Sequence, residues 1–460
     1  MKKPIRFYLA VFGGKIMIKL MRLMKRNATN LPGEASLIFF PKLLHYIDMP
    51  EKVIAITGTN GKTTVSNMIS DILEGNGYEF ISNRFGGNVD TGIASILLND
   101  CSFAGKCRAK MAVFEVDERS AGRILPFVKP DYLVCTNLQR DSMKRNAHTE
   151  YIFNFLNSNI SDKTTLILNA DDIISSSLKP ENKRAYFGIK RQPDEESNDK
   201  SIICDAVLCP ECHAHLVFDF KRYNHIGLAH CEKCGYKNPQ ANYCVEKIDY
   251  ENKKLVINHN GAYEEYPLVE SRITDIYNTS SAIALTREFG VSYENVVKIL
   301  SKAKIVKTRY DRYKLGNHEV IISLAKGQNP VACSGVCHAV SKESGNKAVI
   351  MILEDFYDAQ RTSENLAWIY ETDFEYLNDE SIKQIIVGGK RCSDYLLRLL
   401  MAGIDRSKIN ICDSETDTVS FLKPENVEKI MIMYDLFNTK SLETIKTQLE
   451  EKLGGKNNDC

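Results

Sequence analysis

The sequence predicts an α/β protein with a parallel, doubly wound central part and a smaller Rossmann-like part after it. Three observations support this fold class. Short apolar runs rich in β-branched residues end in polar residues, and helix-length segments separate them. The first run leads directly into a glycine-rich turn and then a helical pattern. With 460 residues, of which 43% are hydrophobic and 26% charged, the chain can bury several cores. Strands of parallel sheets are buried on both faces, so they read as continuous apolar runs.

Strands and helices are expected to alternate along most of the chain. The predicted strands cover residues 52–56, 110–114, 131–136, 164–168, 319–324, 348–353 and 384–387. The predicted helices cover residues 65–73, 276–289, 293–302, 393–402 and 441–453. We expect an N-terminal amphipathic segment (1–50), a P-loop-type central domain (51–305) and a C-terminal α/β domain (306–460). The pattern breaks between residues 189 and 250, which predicts an insert at about 200–245.

The N-terminal segment is basic and partly apolar. Its apolar residues between positions 7 and 24 are interrupted by Lys15, Lys19 and Arg22, so the run is shorter than the ~20 apolar residues that span a bilayer. The pattern predicts an amphipathic helix that either rests on an anionic membrane surface or packs against its own domain. The sequence leaves both arrangements open. A turn is expected after it, at residues 31–33 (Leu-Pro-Gly).

Charge and cysteine content narrow the class of protein. Sixty Lys and Arg residues nearly balance 59 Asp and Glu residues, so no overall field attracts nucleic acid. Fourteen cysteines without a secretory signal pattern indicate reduced thiols. We therefore expect a cytoplasmic protein with at most peripheral contact to the inner face of the plasma membrane.

A glycine-rich turn lies between the first predicted strand and helix. It reads Gly58-Thr59-Asn60-Gly61-Lys62-Thr63-Thr64. Such a turn leaves backbone N–H groups free to face phosphate oxygens, with the positive end of the helix dipole behind them. Lys62 is expected to reach the outer phosphates of ATP and to act in catalysis. A chance glycine turn is the alternative, and the Gly-Lys-Thr-Thr run between strand and helix disfavours it.

A magnesium site is predicted beside this loop. The Thr63 hydroxyl would ligate Mg²⁺, and Glu115 or Asp117, at the end of the second predicted strand, would supply a carboxylate. Glu115 is our candidate for both the metal site and the catalytic site. Exposed strand-end acids unrelated to a metal are the alternative.

Two Cys-x-x-Cys pairs, separated by eighteen residues, lie in the irregular segment. The four residues are Cys209, Cys212, Cys231 and Cys234. This spacing predicts a four-thiolate zinc ribbon, in which four protein sulfurs leave no open position, so the metal would be structural. A redox pair or coincidental cysteines are the alternative. Four histidines close in sequence could compete as ligands: His213, His215, His225 and His230.

Several motifs resemble those of the Mur ligases, which join amino acids to peptidoglycan precursors. In chain order, the matching segments are 57–64, 136–138, 140–141, 168–172, 277–278, 309, 324–326 and 329–330. The resemblance implies that Asn278 contacts the adenine of ATP. It also implies that Arg309, which opens the C-terminal domain, binds the nucleotide.

Other features resemble the MurT type within this family. They are residues 31–33, 114–118, 324–326, 368–370, 373–375 and the cysteine insert. The resemblance implies an ATP-dependent carbon–nitrogen ligase that phosphorylates the α-carboxylate of D-glutamate in the lipid II stem peptide. Ammonia from a glutamine amidotransferase partner, called GatD, then displaces phosphate and leaves D-isoglutamine.

The sequence departs from this type in several places. Residues 140–147 lack the second acid of the type's pattern, and Gly327 and Gln328 lengthen the Leu-Ala-Lys loop. Asn365 stands where the type has an aspartate that completes the partner's Cys-His pair in glutamine hydrolysis. An asparagine can orient a histidine but cannot stabilise its positive form with charge. Asp355, Asp358 and Glu364 are further candidates for that role after a loop shift.

Two other functions stay open on the sequence. A divergent paralogue could amidate or ligate another carboxylate, or a nucleotide-binding scaffold subunit could leave the chemistry to its partner. The intact Lys62, Thr63 and Glu115 argue against a scaffold. Acidic residues offset the lysines of the cysteine insert, so we expect no nucleic-acid partner.

Overall fold

The computed structural model describes residues 2–84, 87–140, 148–198, 200–302, 310–325, 327–354 and 366–454. Its helices are α1 (Ile5–Leu23), α2 (Leu31–Phe39), α3 (Leu43–Tyr46), α4 (Lys62–Gly75), α5 (Asp90–Asp100), α6 (Ala121–Val128), α7 (Thr149–Asn159), α8 (Ile173–Ser176), α9 (Ile273–Glu288), α10 (Tyr293–Leu300), α11 (Pro330–Lys342), α12 (Ala367–Glu371), α13 (Cys392–Met401) and α14 (Thr439–Leu453). Its strands are β1 (Lys52–Thr57), β2 (Ile81–Ser82), β3 (Met111–Glu115), β4 (Tyr132–Cys135), β5 (Thr165–Asn169), β6 (Arg184–Ile189), β7 (Val217–Tyr223), β8 (Ile226–His230), β9 (Tyr243–Asp249), β10 (Lys254–His259), β11 (Ala262–Pro267), β12 (Tyr310–Leu315), β13 (His318–Leu324), β14 (Lys347–Ile352), β15 (Ile382–Gly388), β16 (Ile409–Cys412) and β17 (Lys429–Tyr434).

A nine-stranded sheet organises the first part of the chain. Its strand order is β11-β10-β9-β6-β5-β4-β1-β3-β2. Neighbouring strands from β2 to β9 in this order run parallel, whereas β9, β10 and β11 pair antiparallel. The predicted parallel sheet is thus confirmed at its centre. The antiparallel extension was not predicted, because the side chains of β11 are largely exposed and lack an apolar run.

Helices cover both faces of this sheet, and β1 shows how the strands serve both layers. Val53 and Ala55 face the layer that contains α1, α5, α6 and α7. Ile54 and Ile56 face the layer that contains α4, α9 and α10. Because successive strand residues point to opposite faces, an uninterrupted apolar strand is what a doubly wound sheet requires.

A six-stranded sheet organises the second part of the chain, with the order β12-β13-β17-β14-β15-β16. Only β12 runs antiparallel, against β13. The last strand, β17, lies between β13 and β14, and two buried clusters cover the two faces. The expected second α/β sheet is confirmed.

The Leu-Pro-Gly segment forms the first turn of α2, so the prediction of a free turn there was wrong. A proline is tolerated in the first turn of a helix because its missing N–H has no intrahelical acceptor. A Cβ atom on Gly33 would lie 2.0 Å from the Thr91 carbonyl oxygen of α5. The glycine therefore permits close packing of α2 on α5. No helix in the described ranges is long and apolar enough to cross a membrane.

Candidate nucleotide site and cysteine cluster

The predicted phosphate loop joins β1 to α4 at the carboxyl edge of the parallel strands. Gly58 and Gly61 adopt positive φ angles of 126° and 90°. A Cβ atom on Gly58 would lie 2.2 Å from Thr136 Oγ1, and one on Gly61 would lie 2.1 Å from Asn278 Oδ1. Only glycine fits at both positions, because conformation and close approach act together.

The end of β4 holds this loop in place. Thr59 N donates to the Asn137 carbonyl oxygen over 2.9 Å, and Asn60 N donates to Asn137 Oδ1 over 3.1 Å. Thr136 Oγ1 donates to the Asn60 carbonyl oxygen over 2.6 Å. The N–H groups of residues 61–64 begin α4, and first-turn amides have no acceptor within the helix. These amides form an anion-binding helix end of the kind that holds phosphates.

Lys62 folds back over its own loop. Its Nζ donates to the carbonyl oxygens of Gly58 (2.5 Å) and Thr59 (3.3 Å) and to Glu118 Oε2 (2.9 Å). Burial disfavours the charged lysine, but the charge and hydrogen bond of Glu118, with smaller contributions from Asp117 and Glu115, raise the pKa of Lys62 above its ordinary value. Sequence reasoning missed Glu118, although it belongs to the same strand-end run as Glu115.

Glu115 lies at the end of β3, which pairs with β1 so that Glu115 aligns with Ile56. Its Oε1 accepts a hydrogen bond of 2.9 Å from Asn88 Nδ2. Its backbone exchanges two hydrogen bonds of 2.8 Å with the side chain of Asn83. This pairing fixes the position of the carboxylate beside the phosphate loop. The Thr63 side chain, the other predicted magnesium ligand, is exposed at the start of α4.

Asn278 is brought to the phosphate loop from α9. Its side chain is mostly buried, and its Oδ1 lies against Gly61. The neighbouring Tyr277 is instead part of a buried network, in which its hydroxyl donates to Asp171 Oδ2 and accepts from Arg222 NH1, both over 2.5 Å. The sequence did not predict the role of Arg222, which belongs to β7 of the insert.

The C-terminal part also reaches the phosphate loop. Asn329 Nδ2 donates to Asn60 Oδ1 over 3.4 Å, and Asn329 Oδ1 caps α11 by accepting from Ala332 N over 2.8 Å. The 329–330 segment was one of the motifs in the resemblance. The other predicted site residues lie outside the described residues: Arg309, Asp355, Asp358, Glu364 and Asn365.

A chain of polar contacts connects the insert to both parts of the protein. Arg140 donates from Nε to Asp205 Oδ1 over 2.6 Å and from NH1 to Glu371 Oε1 over 2.7 Å. Burial opposes ionisation of Asp205, but the charges of His225 and Arg140 lower its pKa. His225 Nε2 lies 2.9 Å from Asp172 Oδ1, and both side chains are fully buried. The arginine was predicted as a motif residue, whereas its partners carried no local sequence signal.

The four predicted zinc ligands come together in the structure. All four sulfur atoms lie within 4.8 Å of one another. The Cys209–Cys234 and Cys212–Cys231 sulfur pairs are 3.6 and 3.4 Å apart. A tetrahedral zinc ion with bonds of about 2.3 Å needs sulfur separations of about 3.8 Å, so the cluster fits zinc closely. Within the described ranges the cluster consists of cysteines alone.

The backbone around the cluster forms two tight turns. His213 N donates to the Cys209 carbonyl oxygen over 3.0 Å, and Gly235 N donates to the Cys231 carbonyl oxygen over 2.9 Å. Residues 213 and 235 both adopt positive φ angles, 57° and 77°. Each turn folds its two cysteines to the same side, so four thiolates from two separate segments would share one ion.

Two family descriptions match the chain. The Mur ligase middle domain matches residues 56–208, and the MurT ligase C-terminal domain matches residues 326–436. The first contains the phosphate loop and Glu115. The second covers most of the six-stranded sheet.

Solved structures share the fold. A pseudomurein peptide ligase type C from Methanothermus fervidus is 20% identical with a TM-score of 0.66, over 88% of this chain and 81% of that one. MurF from Acinetobacter baumannii is 16% identical with a TM-score of 0.60, over 91% of this chain and 80% of that one. At these identities the likeness concerns the fold alone.

Curated relatives are more similar in sequence. Subunit MurT of the lipid II isoglutaminyl synthase (glutamine-hydrolyzing) from Staphylococcus aureus (strain COL) is 32% identical over 405 residues, which cover 87% of this chain and 89% of the relative. The subunit of the same name from Streptococcus pneumoniae is 28% identical, over 83% of this chain and 84% of the relative. With this identity along nearly the whole length, the chain belongs to the MurT family of Mur ligases.

Proposed function

We propose that this chain is the ATP-dependent ligase subunit of a glutamine-hydrolysing lipid II isoglutaminyl synthase. It amidates the α-carboxylate of D-glutamate in the lipid II stem peptide, using ammonia from a GatD-type glutamine amidotransferase subunit. The observation that carries the proposal is the complete phosphate loop, with Lys62 and Glu118 paired beside Glu115. The names of the two MurT relatives, which align with most of this chain, support the substrate and the subunit organisation.

The chemistry requires an activated carboxylate, because ammonia does not displace an oxygen that is a poor leaving group. Transfer of the γ-phosphoryl group of ATP to the carboxylate gives an acyl phosphate. Ammonia then attacks the acyl carbon, the carbon–oxygen bond to phosphate breaks, and the amide and inorganic phosphate leave. The protein contributes positioning, charge neutralisation and exclusion of water from the acyl phosphate.

The loop residues have distinct roles in this scheme. The amides of residues 61–64, at the start of α4, bind the phosphates, and the Lys62 ammonium neutralises charge on the transferred group. Thr63 and Glu115 would hold Mg²⁺, which would neutralise the phosphate oxygens. We further propose that Asn278 and Arg309 complete the nucleotide site.

The cysteine cluster is proposed to hold a structural zinc ion. Its four thiolates fill a tetrahedral shell and leave no position for substrate. Asn365, or Asp355 in its place, is proposed to contact the catalytic pair of the amidotransferase. The complex is proposed to act in the cytoplasm at the inner face of the plasma membrane, where its lipid-linked substrate lies.

The test uses the chain co-purified with a GatD-type glutamine amidotransferase subunit. The complex receives ATP, ¹⁵N-amide-labelled glutamine and lipid II, and mass spectrometry follows label in the stem peptide. We expect label in D-isoglutamine with wild type and none with Lys62→Met, while the matched Lys110→Met, at an exposed position just before β3, keeps activity. Bound ATP without amidation of lipid II would refute the proposal. Labelling of a different carboxylate substrate would instead identify a divergent paralogue.

A further inference from the structure

Helix α1 has two apolar faces, only one of which packs against the protein. The inner face is buried against α2 and α5 and consists of Phe7, Ala10, Val11, Gly14 and Ile18. The outer face is exposed and consists of Ile5, Leu9, Phe12, Ile16, Leu20 and Leu23. We call this second set the outer stripe.

The outer stripe is continuous along the helix. Its residues follow one another at intervals of three or four, which places them on one side of a helix with 3.6 residues per turn. Ile5 and Leu23 at its two ends are 79% and 80% exposed. Phe103, from the loop after α5, extends the stripe, because its ring centroid lies 6.2 Å from that of Phe12. Single exposed apolar residues are ordinary, but a contiguous stripe of this length marks an interaction surface.

All charged side chains on α1 and in the chain segments directly before and after it are positive. The first 33 residues contain eight Lys and Arg and no Asp or Glu, although the two signs balance over the whole chain. In the described part of the chain, five of these cations form neither an ion pair nor a side-chain hydrogen bond: Lys2, Arg6, Lys19, Lys25 and Arg26. The remainder of the protein is accordingly net acidic. The positive charge is concentrated at the exposed apolar surface.

We propose that the outer stripe binds the surface of an anionic lipid bilayer. An apolar stripe flanked by cations is complementary to acyl chains beneath anionic headgroups. A second copy of this chain would bring two positive surfaces together, so the charges oppose that occupant. No helix in the described ranges can cross a bilayer, and the inner face of α1 fixes it to α2 and α5 of the central domain. The helix therefore lies in the interface and carries the central domain with it.

This membrane contact is independent of the ATP site and of the precursor. It would keep the phosphate loop close to a lipid-linked substrate without a transmembrane anchor. The membrane inference can therefore fail while the proposed function holds, and the proposed function can fail while the membrane inference holds.

The test is co-sedimentation of the full chain, alone and with its amidotransferase subunit, with vesicles that contain no lipid II. One set contains phosphatidylglycerol in phosphatidylcholine, and the other contains phosphatidylcholine alone. We expect binding to the anionic vesicles that falls as sodium chloride is raised. Each basic side chain near an anionic surface contributes about a fivefold increase in partition, so Lys19→Glu with Lys25→Glu should reduce binding by about 25-fold or more. The matched control is Lys298→Glu with Lys440→Glu, at exposed positions of α10 and α14.

A second pair of variants tests how much the apolar side chains of the outer stripe contribute to vesicle binding. Leu9→Ser with Leu20→Ser should lower binding by at least about tenfold, whereas Leu397→Ser with Met401→Ser, at exposed positions of α13, should leave it unchanged. All four positions are exposed, and thermal unfolding checks that each protein folds. The decrease in vesicle binding with rising sodium chloride is measured on the wild-type protein, so this result does not depend on the folding of any variant.

Three outcomes would overturn the inference. The first is absence of binding to anionic vesicles. The second is a wild-type dimer that the stripe variants convert to monomer, which would assign the stripe to a second copy. The third is vesicle binding by the chain alone that its amidotransferase subunit abolishes, which would assign the stripe to that partner.

Discussion

Replacement of Glu118 by glutamine tests how the phosphate loop receives its nucleotide. Lys62 Nζ and Glu118 Oε2 are 2.9 Å apart, with side chains 13% and 3% exposed. At an effective dielectric constant of about 20, the attraction of two unit charges at this distance is about 6 kcal/mol before desolvation. The glutamine retains a hydrogen bond, and two loop carbonyl oxygens still accept from the lysine. We therefore expect Glu118→Gln to cost the ligand-free protein about 2 kcal/mol.

The same substitution should strengthen ATP binding. The lysine ammonium has three protons, and in this structure they face Gly58, Thr59 and Glu118. A phosphate can be contacted only if one of these bonds is released, and Glu118 is the partner that an incoming anion replaces. An interaction present only without ligand opposes binding by its own free energy. If Glu118→Gln removes about 2 kcal/mol of stabilisation from the ligand-free protein, its affinity for ATP should therefore rise by up to about 30-fold.

Calorimetric titration with ATP and Mg²⁺ measures this change, and thermal unfolding without nucleotide measures the destabilisation. Glu246→Gln is the matched control, because this acid also pairs with a lysine, Lys190, over 2.6 Å, and it lies on β9, four strands away from β1 and its phosphate loop. A lower thermal midpoint with an unchanged ATP affinity would show that Lys62 keeps its bond to Glu118 when ATP is bound. That result would refute the idea that a phosphate replaces Glu118. A weaker ATP affinity would assign Glu118 a positioning role instead.

Four further predictions concern the phosphate loop, the cysteine cluster and the contacts of Arg140. Because the pKa of Lys62 is raised above its ordinary 10.5, the lysine stays charged as the pH rises, and ATP affinity measured by titration should not fall between about pH 7 and 9 through this group. Gly61→Ala should weaken ATP binding by at least about tenfold in the same assay, because the added Cβ would lie 2.1 Å from a buried amide oxygen. Cys212→Ser should lose zinc, by elemental analysis, and lower the thermal midpoint, whereas Cys244→Ser, outside the cluster, should retain the metal. Arg140→Ala should leave ATP affinity within about threefold while lowering the thermal midpoint, because it leaves two carboxylates without their shared partner.

Local signals explain most of what the sequence predicted. The strand, glycine turn and helix from Lys52 to Gly75 are adjacent in the chain, so their order alone specifies the loop. The cysteine cluster was predicted for the same reason, because each pair lies on one short turn. In both cases the chemistry follows from residues only a few positions apart.

The unpredicted parts depend on distant residues or on side-chain direction. Glu115, Asp117 and Glu118 share one strand end, and only the structure shows which of them turns towards Lys62. Arg140 and Glu371 are separated by 231 positions. No local pattern can predict such a pair, because the two residues meet only after both sheets have formed.

The cysteine cluster lies where it could stabilise more than the insert that contains it. The segment that leads into the cluster contacts the C-terminal part repeatedly. Asn198 Oδ1 accepts from Tyr376 over 2.6 Å, and the Ser201 hydroxyl and Ile202 N–H donate to Asp373 over 3.0 and 2.7 Å. Further along the same segment, Asp205 holds the arginine that binds Glu371. A metal ion bound by the four cysteines would fix the turns after this segment, and with them the surface on which the C-terminal part rests. We therefore expect loss of that metal to change the orientation of the C-terminal part relative to the phosphate loop, even though the four thiolates leave no position for substrate.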